Sequence, residues 1–134
     1  MSLPELGQGV ARQLYAAATA QGTNSFTLPE DAALRLAAAC DALVADLEAA
    51  RAGGRQLAAT SGTAGFPDLP TGHALAAGFA GKAVEYLDTL TALQETALRF
   101  KAAYLAAAGR LTEADLANRA ALTVAAQAAG GGNG

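Results

Sequence analysis

Apolar residues return along this chain every three or four positions, in the spacing of helices, and nowhere alternate as a strand would require. Between Leu28 and Ala59 the positions Ala33, Leu36, Cys40, Leu43, Leu47, Ala50, Gly54 and Leu57 form a heptad seam, while Arg35, Asp41, Asp46, Glu48, Arg51 and Arg55 fall off it onto a solvated face. A longer stripe keeps one phase through Phe79, Ala83, Tyr86, Leu90, Leu93, Ala97, Phe100, Tyr104, Ala107, Leu111, Ala114, Asn118 and Ala121. A shorter one places Leu6, Val10, Leu14 and Ala17 on one side. The pattern predicts an all-α fold: a single domain over 1–129 with helices at about 3–20, 28–59 and 69–127, followed by a flexible glycine-rich tail at 130–134.

Local signals set the ends of these helices. Ser2-Leu3-Pro4, Thr27-Leu28-Pro29 and Asp68-Leu69-Pro70 each place a side-chain acceptor two residues before a proline, as at a helix start. Ser2 with Glu5 and Thr27 with Glu30 have capping-box spacing. The turn between the second and third helices takes in Gly65, Phe66, Pro67 and Pro70, and so short a connection implies antiparallel packing, a helical hairpin with a coiled-coil-like seam. Gly53-Gly54 predicts fraying or a bend late in the second helix. The third helix reads as continuous because its stripe holds phase across Gly109; the competing reading ends it there, with Thr112 and Asp115 capping a fourth. At 1.5 Å per residue a continuous third helix would be nearly twice as long as the second, which spans ~45–50 Å. The surplus stripe then calls for another chain.

Composition narrows the chemistry. The chain has 134 residues and a net charge of -3, and its 52% hydrophobic content includes 38 alanines, so the core is closely spaced rather than bulky. Nine scattered Lys and Arg make no basic stripe for nucleic acid. One cysteine and one histidine exclude an internal disulfide and a His/Cys metal cage within one chain. The sequence offers no cleavable signal peptide and no membrane-inserting segment, so a cytoplasmic location is expected.

The candidate sites resolve into structural roles. "GHALAAGFAGKA" ends in a spacing close to a phosphate loop, but Ala76 stands at its first position and Ala83 at its last, and no strand precedes it. Gly78 and Gly81 read instead as points of close helix approach, with Lys82 solvated. His73 reads as a solvated first-turn residue and Cys40 as a small hydrophobe on the seam. Glu85, Asp88 and Glu95 read as a solvated acidic row, and Glu95-Arg99 and Asp115-Arg119 as helix-supporting pairs. No catalytic residue, metal site, cofactor or small-molecule substrate is expected. Phe79, Tyr86, Leu90, Leu93, Phe100, Tyr104 and Leu111 are the candidate partner interface, with Leu36, Leu43 and Leu47 facing them.

The helix beginning "FTLPEDAALRLAAACDALVADLEAAR", the turn "GTAGFPDLPTG", and the segments "HALAAGFAGKAVEYL" and "AYLAAAGRLTEADLANRAAL" together resemble the WXG-like helical-hairpin proteins of actinobacterial type VII secretion, over about Ser25 to Val124. The family's turn carries Trp-x-Gly where this chain has Phe66-Pro67. Its export signal, Tyr followed four positions later by an acid, is matched in degenerate form by Leu111 and Asp115. The resemblance implies a non-enzymatic adaptor that forms a four-helix bundle with another helical protein, such as the leader of a secreted effector or toxin. Export through a type VII system without a cleavable signal would follow, the partner supplying the missing signal. The alternative is a self-associating structural bundle, a homodimer with no secretion role.

Overall fold

A computed structural model describes residues 3–22, 24–61 and 68–131, and among them the chain forms four α-helices and no strand. They are α1 (Gln8–Thr19), α2 (Glu30–Ser61), α3 (Pro70–Ala107) and α4 (Leu111–Gly131). Ser2, Gly65, Phe66 and Pro67 lie outside the described residues. Helix α3 is the axis of the molecule, and α1, α2 and α4 each pack against it.

The expected continuous third helix is in fact two helices. Gly109 takes φ 78°, its N–H bonds the Ala106 carbonyl at 2.9 Å, and the Arg110 N–H bonds the Leu105 carbonyl at 2.9 Å. This pair of bonds is a Schellman motif, which satisfies the last carbonyls of α3 and reverses the chain. The Arg110 carbonyl then accepts the Ala114 N–H at 3.0 Å and opens α4. The stripe holds phase across the break because Ala114, Ala117 and Ala121 fold back onto α3 instead of extending beyond it. They cover within the chain much of the surface that the length argument assigns to a partner. At the far end, α4 runs through Gly131, two residues into the segment expected as a tail.

The other helix starts also shift. Helix α1 begins at Gln8 rather than near residue 3, because Gly7 caps it at φ 108° and the preceding residues run non-helically beside α3. A Cβ on Gly7 would sit 3.1 Å from Thr96 Cγ2, so both conformation and space require glycine there. Glu5 Oε1 accepts the Gly9 N–H at 2.8 Å, capping this later start. In α2 the Pro29 carbonyl accepts the Ala33 N–H at 3.0 Å, and α2 starts one residue on, at Glu30. At α3 the cap position is held by Leu69, without a side-chain cap, and Pro70 follows in the first turn. Asp68 pairs instead with His73 Nε2 at 2.9 Å, which leaves His73 exposed as expected.

The seam of α2 is displaced by one residue at several positions. Ala33, Ala37, Leu47 and Gly54 are buried, and Cys40, Val44 and Arg51 half-buried, in an unbroken alternation of four and three. Leu36, Leu43 and Leu57 point outward. The fraying expected at Gly53-Gly54 does not end α2, which continues to Ser61. Gly54 instead makes room for α3: a Cβ there would lie 2.9 Å from Leu87 Cδ2 and 3.3 Å from the Tyr86 ring. Gly78 and Gly81, expected at a close helix contact, are exposed with nothing within 4 Å of an added Cβ.

Two regimes follow along α3. From Leu90 to Ala107 it is wrapped by α1, α2 and α4, and nearly every residue is buried or half-buried. Ala37, Ala102, Leu105, Ala106, Ala114 and Ala117 form the core, with Tyr15 and Ala18 of α1 against it. From Pro70 to Thr89 it buries only Gly72, Ala76 and Ala83. The molecule is a small-residue four-helix bundle from which an antiparallel two-helix arm extends.

Candidate functional site

Two features distinguish the surface and interior from a generic alanine-packed bundle. The first is an apolar face along one side of the packed α2–α3 pair. At 3.6 residues per turn, Leu75, Phe79, Tyr86, Leu93, Phe100 and Tyr104 fall within a stripe roughly 60° wide on α3. Antiparallel register is fixed by Gly54 against Tyr86 and Leu87, Val44 and Glu48 against Gln94, and Asp41 against Lys101. In that register Leu36 lies beside Tyr104, Leu43 beside Phe100, and Leu57 beside Tyr86, all on the flank of α2 turned away from α4. The side chains therefore form one continuous surface.

Leu36, Leu43, Leu57, Leu75, Phe79 and Tyr86 are 38%, 49%, 52%, 61%, 39% and 49% exposed. Taking roughly 150–250 Å² as the scale of a large side chain, the six leave roughly 400–700 Å² of this face in water. That equals the largest apolar patches usual on monomers and approaches the ~800 Å² per partner of a standard interface. Leu93, Phe100 and Tyr104 continue it half-buried into the bundle, with the Phe100 and Tyr104 rings 6.0 Å apart at a tilt of 31°. Burial pushes the Tyr104 hydroxyl pKa up.

Of the residues read from the sequence as a partner interface, the structure brings Phe79, Tyr86, Leu93, Phe100 and Tyr104 together on this face. Leu90 is buried, and Leu111 is exposed on α4 beyond the reversal. Leu36 and Leu43 contribute to the face from its α2 side, whereas Leu47 is buried beneath it. Leu75 and Leu57 belong to it as well; Leu75 was missed because it precedes the first large residue of the stripe. Leu111 and Asp115, the degenerate export pair, are both exposed in the first turns of α4, where Asp115 pairs with Arg119 at 3.1 Å.

The second feature is a buried polar layer at Gln94, Glu95 and Thr96, where the sequence reading placed Glu95 on a solvated row. Glu95 is 5% exposed. Its Oε2 accepts Arg99 Nε at 2.8 Å and lies 3.8 Å from the Arg12 guanidinium, and its Oε1 accepts Gln8 Nε2 at 3.3 Å. Thr96 donates to the Ala92 and Leu6 carbonyls at 2.9 and 3.2 Å. Gln94 faces the other way, donating to the Val44 carbonyl at 3.1 Å and accepting Arg51 at 2.6 Å. Three consecutive residues thus hold α1 on one side and α2 on the other in a single register, since any slip would leave buried polar groups unpaired. Glu85 remains exposed, paired with Lys82 at 3.2 Å.

Cys40 is half-buried on the seam, and burial followed by the Asp41 charge pushes its thiol pKa up, which keeps it protonated and poorly nucleophilic. Among the described residues no group of three or more His, Cys, Asp or Glu side chains is placed to hold a metal ion, and no helix is long and apolar enough to cross a membrane. Comparison of the chain with family models, curated proteins and solved structures finds no match.

Proposed function

We propose that the protein is a non-enzymatic helical adaptor that uses the outer face of its α2–α3 hairpin to bind another helical protein. The observation that carries this reading is the continuous exposed apolar face, whose size approaches that of a standard protein interface. Its residues repeat at helical spacing on both helices, so the complementary surface is an amphipathic helix or hairpin laid along the groove between them, completing a second four-helix arrangement. The pattern resemblance to WXG-like proteins favours a type VII secretion setting, in which the partner is the helical leader of a secreted effector and carries the export signal that Leu111 and Asp115 match only in part.

The alternative occupant is a second copy of the chain. Co-expression with helical proteins encoded beside it, followed by sizing with light scattering, separates the two. The adaptor reading expects a stable heteromer that Leu43→Glu and Tyr86→Glu each abolish while helicity is unchanged. Homodimers alone, with no heteromer from the locus, would refute it in favour of the structural bundle.

A further inference from the structure

A cavity of ≈ 260 Å³ lies between α1, α3 and α4, lined by Ala11, Arg12, Tyr15, Arg99 and Asn118. Its polar groups are underused by the fold. Arg99 spends its Nε on Glu95, but its terminal nitrogens make no intramolecular hydrogen bond among the described residues. Arg12 has only the 3.8 Å approach to Glu95, too long for a hydrogen bond. The Tyr15 hydroxyl and the Asn118 amide likewise bond no described residue. Both guanidiniums converge on Glu95 Oε2, at 2.8 and 3.8 Å, so two positive charges share one carboxylate and the site keeps one net positive charge.

We propose that this cavity binds a small oxyanion, a carboxylate or phosphate group, held by Arg12 and Arg99 and oriented by Tyr15 and Asn118. Guanidinium groups donate in a planar fork that matches such oxygens, and the amide and phenol add donors. The volume is just under the ~300 Å³ at which pockets for drug-sized ligands begin, which suits one small anion and not a nucleotide. Because Arg12 and Tyr15 come from α1, Arg99 from α3 and Asn118 from α4, an occupant ties three helices together. Arg99 is mostly buried and fixed by Glu95, whereas the Arg12 side chain is 56% exposed and closes over the ligand.

The experiment is titration of the full chain with inorganic phosphate and, separately, with succinate, at constant ionic strength against chloride. Thermal unfolding and the side-chain amide and guanidinium signals in nuclear magnetic resonance are followed. The expected result is a saturable rise in unfolding midpoint with at least one of the two anions, with shifts confined to Arg12, Arg99 and Asn118. Arg12→Ala should weaken that binding about ten-fold or more, the worth of a charged hydrogen bond. Arg119→Ala, which removes an exposed arginine already paired with Asp115, should leave it unchanged. If phosphate alone binds, the ligand is a phosphate group; if succinate alone, a carboxylate. A response that never saturates, equals that of chloride, or persists in Arg12→Ala would overturn the proposal.

Discussion

Replacing Gly109 by alanine isolates the device that separates this fold from a three-helix rod. Gly109 stands at φ 78°, and an added Cβ meets nothing within 4 Å, so the substitution costs backbone strain alone and creates no clash. A left-handed conformation costs an L-residue ~1–2 kcal/mol, of which ~0.4–1 is offset by the lower entropy of the unfolded chain. A net loss of about 0.5–1 kcal/mol, or roughly 2–5 °C in Tm, is expected for a chain of this size. Asparagine tolerates the left-handed region better, so Gly109→Asn should lose less than Gly109→Ala.

The same substitution favours the competing continuous helix, in which alanine is a better interior residue than glycine by ~1 kcal/mol. In that form α4 swings away and bares Ala102, Leu105 and Ala106, which a second chain's α4 can cover by exchange. Urea unfolding followed by circular dichroism reads the first effect, and light scattering reads the second as a concentration-dependent dimer. An alanine variant as stable as the wild type and monomeric at high concentration would refute the assignment of Gly109 as the reversal point.

Other perturbations have equally defined outcomes. Leu105→Ala removes a side chain 2% exposed at the centre of the core and should cost ~2–5 kcal/mol in urea unfolding. Glu95→Ala leaves the mostly buried Arg99 guanidinium without its carboxylate and should cost ~3–5 kcal/mol, with hydrogen exchange rising first in α1; Glu95→Gln should cost less. Hydrogen bonds from Arg55 and Gln94 lower the Glu48 pKa below its ordinary 4.5, so its contribution is complete above that value and is lost as the pH falls through the depressed one. The effect is small for a half-exposed group, and Glu48→Gln should flatten the acid side of the stability profile; an unchanged profile would dissociate Glu48 from it.

What the sequence made legible was periodicity, and what it hid was the choice among surfaces that share a period. In α2, the seam written through Leu36 and Leu43 and the observed one through Ala37 and Val44 differ by one residue, and both alternate in threes and fours. Size favours the leucines as core, but α3 presents so many alanines that close approach selects Ala33, Ala37 and Gly54 instead, leaving the leucines outside. The same closeness explains Glu95. A helix hemmed by neighbours on three sides has no solvated face to give a carboxylate, so the charge is retained only because Arg99, Arg12 and Gln8 converge on it from two helices. An i,i+4 pair reads the same in a sequence whether it lies in water or in a core. The deciding information was the chain reversal at Gly109, since only after α4 folds back does α3 become central. Once it does, the large side chains left uncovered on the α2–α3 flank cannot be a deficiency of core-forming residues. Leu36, Leu43, Leu75 and Tyr86 are surplus to a core already closed by alanine, and that surplus is the physical reason for proposing a partner there.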